Sequence, residues 1–434
     1  MVSYYLVGEH LAHSCSPELH RLFGRYDYEL RELRPEELGP FLEARSFSGL
    51  NVTIPYKQAV IPYLDFLDEQ AAAIGAVNTI VNRDGKLWGY NTDFDGMADA
   101  IRKLSQSGPT DAAKRSVFSG QKVLILGTGG TSRTALAVSK ALGAGETLRV
   151  SRTGKDGACT YREAVAQHPD AAWIINCTPA GMNPHLEENP LFFAPPQNCH
   201  SERSEESVLF PHLQGVFDCV YNPLRTRLVL ASQKRGLPAD GGLYMLVKQA
   251  AHACELFTGE SVTEAQTEQA YKTLRRRQEN LVLIGMPGAG KTTVGRLLAA
   301  KTGKSFVDLD EEIVQRAGKS IPAIFAESGE AVFRDMESDL IQALSEKGGQ
   351  VIATGGGTIL REENVTRLQQ NGRLIFLDRP LAALRPTADR PLGDTTEKLQ
   401  QLYETRYPAY LAAADLVLDA SLHSEQLAEM LAAQ

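Results

Sequence analysis

Gly285, Gly290, Lys291 and Thr292 fall at the spacing G-x-x-x-x-G-K-T, between the apolar run NLVLIG and a helix-forming stretch. Glycines at that spacing let backbone N–H groups close on phosphate oxygens, and the N-terminus of the following helix adds positive potential. Gly288, Ala289, Gly290, Lys291, Thr292 and Thr293 are therefore expected to hold ATP, with Lys291 on the β- and γ-phosphates and the Thr292 hydroxyl on Mg²⁺. Downstream, DLD sets Asp308 and Asp310 at the carboxyl edge of the next strand, where ligands collect. FRDMESDL puts Arg334 and Glu337 one helical turn apart, and TGGG (354–357) offers bare backbone against which a ligand could pack. ADRPLGD adds Arg390 and ETRYPAY adds Arg406. Each arginine alone reads as a solvated surface charge, but together, in this order after a phosphate cradle, they point to a bound ligand.

A second constellation precedes the first. LGTGGTSR (126–133) stands after a strand and before a helix, with Ser132 where a G-x-G-x-x-G fingerprint would have its third glycine. A structural glycine turn and a dinucleotide turn fit those residues about equally well. The following strand ends VSRTGK, with Arg152 and Lys155 where an NAD site would carry an acid, and cations there suit a 2′-phosphate and so NADP. Reduction of a ketone also needs a proton donor. Lys57 in NVTIPYK and Asp93 in GYNTDFDG are the candidates. Burial would lower the pKa of Lys57, and a charged Asp93 beside it would raise it.

These residues need scaffolds, and the chain is long enough to supply several. Its 434 residues suggest roughly three domains of about 150 each, and 43% apolar with 23% charged content describes globular domains. The net charge of −8 includes no long basic run, which argues against nucleic acid and anionic membranes as partners. Cysteines 15, 159, 177, 199, 219 and 254 form no C-x-x-C pair, which points to a reducing compartment. MVSYYLVGEHLAHS lacks the regions of an export signal, and no apolar run reaches the ~18 residues of a span, so a cytoplasmic protein is expected. Strand signals at 122–127, 147–152, 173–178 and 215–220 alternate with helical stretches, as do those at 280–285, 305–310, 351–356 and 373–378. That alternation is the mark of α/β domains with parallel sheets. The polar stretch around 272–279 separates the two sets, and 195–213 reads as a surface insertion.

Residues 280–434 resemble shikimate kinase, through the cradle, D-x-D, F-R-x-x-E, G-G-G, the lid R-P-L and R-x-P-x-Y beginning at Arg406. The resemblance implies that Asp310, Arg334, Gly356 and Arg406 hold shikimate and that Asp310 accepts the proton of the attacking hydroxyl. It also implies that Asp308 helps place Mg²⁺ and that Arg390, on a closing lid, meets the transferred phosphoryl charge. The lid, RPTADRPLGD, is shorter than the family's usual one. Residues 1 to about 272 resemble shikimate dehydrogenase, through HSCSPELH, NVTIPYK, AIGAVNT, GYNTDFDG, GTGGTSR, INCTPAGM, FDCVYNPLRTRL and GGLYMLVKQAA in that order. This resemblance implies Lys57 as acid/base with Asp93, and Ser14, Ser16, Thr53, Asn78, Asp93, Tyr221 and Gln249 as substrate contacts. Gly127, Thr128, Gly129, Gly130, Thr131, Ser151, Arg152 and Thr153 match its NADP site, with Cys219 and Gly242 near the nicotinamide. The family commonly has asparagine where Ser151 stands and a basic residue where Asp156 stands.

The implied fold is an N-terminal α/β substrate domain (1–100), a Rossmann-like NADP domain (101–240), and a helical region returning to the first domain (241–272). A linker (273–279) then leads to a P-loop, nucleoside-monophosphate-kinase-like α/β domain (280–434). The implied reactions are consecutive: NADPH reduces 3-dehydroshikimate to shikimate, and ATP with Mg²⁺ phosphorylates it. Three alternatives stay open: quinate as the first substrate, a kinase-like regulatory module that only binds ATP, and a kinase for another hydroxy acid. The sequence carries no expectation of oligomeric state.

Overall fold

The computed structural model describes residues 3–11, 14–24, 26–106, 116–193, 210–384 and 395–433. By internal contacts the chain divides into a first unit, Met1–Asn222 with Thr226–Leu274, and a second that holds Arg275–Gln434.

The first unit contains two six-stranded sheets. One is built from β1 (Tyr4–Gly8), β2 (Tyr28–Glu32), β3 (Gly49–Val52), β4 (Phe66–Leu67), β5 (Thr79–Arg83) and β6 (Lys86–Tyr90), in the order β2-β1-β3-β5-β6-β4. It is mixed: β1 runs parallel to β2 and β3, whereas β5 is antiparallel to both of its neighbours. The other is built from β7 (Lys122–Leu126), β8 (Glu146–Ser151), β9 (Cys159–Thr160), β10 (Trp173–Asn176), β11 (Gly215–Asp218) and β12 (Ala239–Asp240), in the order β12-β11-β10-β7-β8-β9. Every pairing in it is parallel, so the order reverses between β7 and β10, where doubly wound sheets open a ligand crevice.

Thr92–Gln106 and Leu243–Thr258 are the long helices beside the first sheet. Asn91 opens the former by accepting the Phe94 N–H at 3.2 Å, as a good N-cap does. Met97, Ala100, Ile101 and Leu104 then recur on its buried face, at the spacing of an amphipathic helix. Gly96 is the contact point between these helices: a Cβ there would lie 2.7 Å from the Met245 carbonyl oxygen and 3.1 Å from the Gln249 nitrogen.

The second unit holds one parallel sheet: β13 (Asn280–Ile284), β14 (Ser305–Asp308), β15 (Gln350–Ala353), β16 (Gly372–Asp378) and β17 (Leu416–Asp419), in the order β14-β15-β13-β16-β17. All five residues of β13 are buried, as expected of a central strand covered on both faces. Each such aliphatic side chain contributes about 1.5–3 kcal/mol. The helical run Ile321–Ser345 is broken at Gly329, whose φ of 80° and ψ of 171° are not helical.

Several expectations change here. The stretch 273–279 is no separate linker, because helix Glu264–Gln278 continues through it and β13 begins at Asn280. Asp310 does not end a strand: β14 stops at Asp308, and Asp310 lies in the first turn of helix Leu309–Ala317. Most of the 195–213 insertion is outside the described residues, but its final residues Phe210 and Leu213 are buried in the core rather than at the surface. None of the described helices is long and apolar enough to cross a membrane.

Candidate active sites

In the second unit the chain turns sharply after β13. Gly285 takes φ +147°, and a Cβ there would lie 2.8 Å from the Leu377 carbonyl oxygen, so only glycine fits. Gly290, at φ +95°, is the N-cap of helix Lys291–Thr302 and gives it no side-chain cap, which leaves the first N–H groups for an anion. Lys291 is buried, and its Nζ donates to the carbonyls of Gly285 at 2.8 Å and Met286 at 3.0 Å. Thr292 Oγ1 donates to Asp308 Oδ2 at 2.7 Å. The other oxygen of Asp308 caps helix Leu309–Ala317 through the Asp310 and Glu311 N–H groups. One carboxylate thus fixes the cradle's hydroxyl and the helix that carries Asp310.

A cavity of about 490 Å³ opens over the cradle, lined by Gly288, Lys291, Thr292, Asp310, Arg334 and Arg406 among others. Arg334 Nη1 pairs with Glu337 at 2.9 Å and Nη2 with Glu330 at 3.2 Å. Glu337 is wholly buried and also accepts from the Thr358 hydroxyl. Arg406 is 4% exposed. Burial pulls its guanidinium below the ordinary value, a shift that Tyr410 opposes and Arg334 reinforces. Among the described residues Arg406 pairs with no carboxylate, so the cavity presents positive charge that an anionic ligand would balance.

The three glycines after Thr354 are needed for clearance. A Cβ at 355 would lie 2.7 Å from Glu337 Oε1, one at 356 would lie 2.9 Å from Pro287, and one at 357 would lie 2.2 Å from Arg334 Nη2. The cavity therefore brings together Gly288, Gly290, Lys291, Thr292, Thr293, Asp310, Arg334, Gly356 and Arg406. Ala289 is buried outside its lining, and Arg390 lies outside the described residues. Sequence reasoning missed the apolar wall of Ile321, Phe325, Phe333 and Leu402 and the support from Thr358. Only the hydrophobic residues flanking the arginines hinted at the wall.

Among the described residues no group of three His, Cys, Asp or Glu side chains is arranged to hold a metal. A Mg²⁺ bound chiefly by nucleotide phosphates and water needs few protein ligands, and the hydrogen-bonded pair Thr292 and Asp308 at the cradle would be the residues to hold it.

In the first unit Lys57 Nζ and Asp93 Oδ2 are 2.5 Å apart, with side chains 17% and 11% exposed. Asp93 sits in the first turn of helix Thr92–Gln106. Asn78 secures that end of the helix, accepting the Thr92 N–H at 2.7 Å and donating to Thr92 Oγ1 at 3.0 Å. Asn78 thus positions Asp93, a role that motif spacing did not suggest. Ser14 Oγ and Ser16 Oγ are 3.1 Å apart. Tyr221 comes close enough to Cys15 between them to interact electrostatically, and burial raises its phenol above the usual value. Thr53 follows β3, its N–H donating to the Val7 carbonyl at 2.9 Å. Gln249 is buried beside Gly96, its amide donating to the Leu246 carbonyl at 2.9 Å.

At the switch point of the parallel sheet Gly127 takes φ +112°, with space for a Cβ closed by the Cys177 carbonyl at 3.3 Å. Helix Gly130–Ala141 starts at Gly129 without a side-chain cap, and a Cβ at 129 or 130 would meet nothing within 4 Å. The turn through Thr128 and Thr131 is thus an open, N–H-lined concavity that fits a pyrophosphate. Beside it β8 ends in Ser151, which accepts the Gly154 N–H at 3.0 Å. Arg152 and Thr153 stand exposed in that turn, where a 2′-phosphate would need a cation. Arg149, which the motif reading passed over, donates to the Asp156 carbonyl and braces the same loop. Gly242 approaches the Cys219 carbonyl so closely that a Cβ would lie 2.3 Å from it.

A dinucleotide turn beside a lysine–carboxylate pair, followed by a phosphate cradle above an arginine-lined cavity, defines an oxidoreductase joined to a P-loop kinase. Residues 6–80 match the model of the shikimate dehydrogenase substrate binding domain, and residues 287–434 that of shikimate kinase. Shikimate dehydrogenase (NADP(+)) of Moorella thermoacetica is 34% identical over 312 residues, 66% of this chain and 96% of that protein. Its counterpart in Halothermothrix orenii is 37% identical over 281 residues, 58% of this chain and 90% of that one. The chain belongs to the shikimate dehydrogenase family and continues into a shikimate kinase domain. Among solved structures, a chorismate mutase/shikimate 5-dehydrogenase fusion protein from Clostridium acetobutylicum aligns with TM-score 0.54 and 29% identity, covering 63% of this chain and 97% of that one. Shikimate 5-dehydrogenase from Thermus thermophilus, in complex with NADP(H) and shikimate, aligns at 0.50 and 28%, covering 63% and 99%.

Proposed function

We propose that this chain catalyses two consecutive steps of the shikimate pathway, reducing 3-dehydroshikimate with NADPH and phosphorylating the resulting shikimate with ATP. The observation that carries the reading is the cavity in which Asp310, Arg334 and Arg406 face the phosphate cradle. Two guanidinium groups complement one carboxylate, and a carboxylate complements ring hydroxyls.

In the first step the bound nicotinamide supplies the hydride. Lys57 holds the proton at Nζ and delivers it to the oxygen that was the ketone. Asp93 fixes Nζ and receives a neighbouring substrate hydroxyl, while Ser14, Ser16, Thr53, Tyr221 and Gln249 orient the ring. Arg152 discriminates for the 2′-phosphate. In the second step ATP with Mg²⁺ supplies the phosphoryl group. Asp310 accepts the proton of the attacking hydroxyl, Arg334 and Arg406 hold the carboxylate, and Lys291 steadies the phosphates. Such an enzyme belongs in the cytoplasm, where both of its nucleotides are found.

A coupled assay on the purified full chain with 3-dehydroshikimate, NADPH, Mg²⁺ and ATP tests this, with quinate and NAD as controls. Lys57→Ala should abolish NADPH oxidation and spare ADP formation from added shikimate, and Lys291→Ala should do the reverse. Loss of both activities in either folded variant would contradict two independent sites.

A further inference from the structure

Cys177 and Cys219 follow directly on β10 and β11, which run parallel with Asn176 opposite Asp218. The two cysteines therefore sit side by side at the carboxyl ends of neighbouring strands, with their sulfurs 3.8 Å apart. Paired strands lie about 4.8 Å apart, within the Cα separation of about 4.4–6.8 Å that a disulfide accepts. Both residues are half-buried. The Cys177 carbonyl closes the space beside Gly127, and the Cys219 carbonyl does the same beside Gly242. Asp93 is also close enough to act electrostatically on Cys219. The pair thus borders the dinucleotide turn at Gly127 and the close approach at Gly242.

We propose that Cys177 and Cys219 form an oxidisable dithiol in the floor of the cofactor cleft, which a peroxide converts to a disulfide that silences the dehydrogenase and leaves the kinase running. The proposal rests on the dehydrogenase reading of this cleft. Chemically, one sulfur attacks the peroxide O–O bond, becoming a sulfenic acid as the first water leaves. The neighbouring thiol then displaces the sulfenic hydroxyl, which departs with a proton as the second water. Two thiols lose two electrons in all, and one hydrogen peroxide becomes two waters. The hydrogen bond with Cys177, together with burial, holds the Cys219 thiol well above its usual pKa, so Cys219 serves as the thiol that closes the disulfide and the attack on peroxide falls to Cys177. Bond formation draws the sulfurs from 3.8 Å to about 2.0 Å. The strand ends against which Gly127 and Gly242 pack must follow, and misplacement by about 1 Å in a catalytic cleft costs on the order of a hundredfold.

The test treats the full chain with hydrogen peroxide, then measures 3-dehydroshikimate reduction and shikimate phosphorylation separately. Alkylation and peptide mass analysis of the same samples look for a Cys177–Cys219 linked pair. Dehydrogenase activity should fall by about tenfold or more, return with dithiothreitol, and leave kinase activity within about twofold. Cys177→Ser and Cys177→Ala, each compared with its own untreated activity, should resist the treatment and yield no linked peptide. Treated wild-type protein without the linked peptide, or with it and still fully active, would overturn the proposal, as would equal inactivation of Cys177→Ser. An untreated protein that fails to reduce 3-dehydroshikimate refutes the dehydrogenase reading instead, and the peptide analysis still reports the cross-link.

Discussion

Gly357→Ala separates the architecture of the kinase site from its chemistry. The backbone at 357 has φ −111° and ψ −1°, which alanine adopts without strain, so the fold itself has little reason to suffer. The new methyl group, however, would lie 2.2 Å from Arg334 Nη2 and 2.5 Å from its Cζ, where ordinary contact begins near 3.4 Å. The guanidinium must shift by about 1 Å from the place it holds in the cavity wall, which disturbs its 2.9 Å pairing with Glu337. A displacement of about 1 Å in a group that orients substrate costs on the order of a hundredfold, or about 2.7 kcal/mol of transition-state binding. Steady-state kinetics of ADP release should therefore show kcat/KM for shikimate down by about two orders of magnitude. KM for ATP and the melting temperature of the kinase unit should stay near wild type, because the cradle is untouched. A folded Gly357→Ala enzyme with unchanged kcat/KM for shikimate would refute the placement of Arg334 at the substrate.

Two further outcomes follow from other parts of the molecule. Asp218 is fully buried, and burial pushes its carboxyl up to about 7 against the hydrogen bonds it accepts from Val220, Thr226 and Asn176. Its folded value lies above its unfolded one, so the stability it contributes is complete below about pH 4 and is lost as pH rises through about 7. Asp218→Asn should flatten that decline, raising the first unit's melting temperature relative to wild type at pH 8 but not at pH 4; equal pH dependence in both proteins would contradict it. Arg152→Asp should lower kcat/KM for NADPH relative to NADH by about thirtyfold, since it replaces the 2′-phosphate's cation with an anion. An unchanged cofactor ratio would move that recognition elsewhere.

Much of the kinase site was legible because its demands fall on the backbone. A cradle needs glycine at 285 and 290 and a lysine next, and few other folds tolerate that string. The arginines and the i+3 partner Glu337 could be picked out, but the support from Thr358 could not: it reaches Glu337 across 21 residues, a contact no local pattern encodes. The mixed sheet of the first unit was invisible as strands. Its edge strand reads YELRE with four exposed residues, a charged edge of the kind that discourages pairing with other chains and that looks like loop or helix in sequence. The run TEQAYKTLRRRQEN looked like a divider because it lacks apolar periodicity, yet helix Glu264–Gln278 is held by only a few buried residues. The role of Asn78 as anchor for Thr92 depends on two strands lying side by side, which becomes visible only in three dimensions.

The contact at Gly96 carries a wider lesson about accuracy. Asp93 and Gln249 come from segments more than 150 positions apart, and their helices meet at Gly96, close against the Met245 carbonyl and the Gln249 nitrogen. Neighbouring residues are free to drift, reshaping the rim of the pocket and the acids it admits, without altering the span between those two groups. The scaffold thereby uncouples what the enzyme selects from how faithfully it holds it, and a single methyl group at position 96 would join the two again.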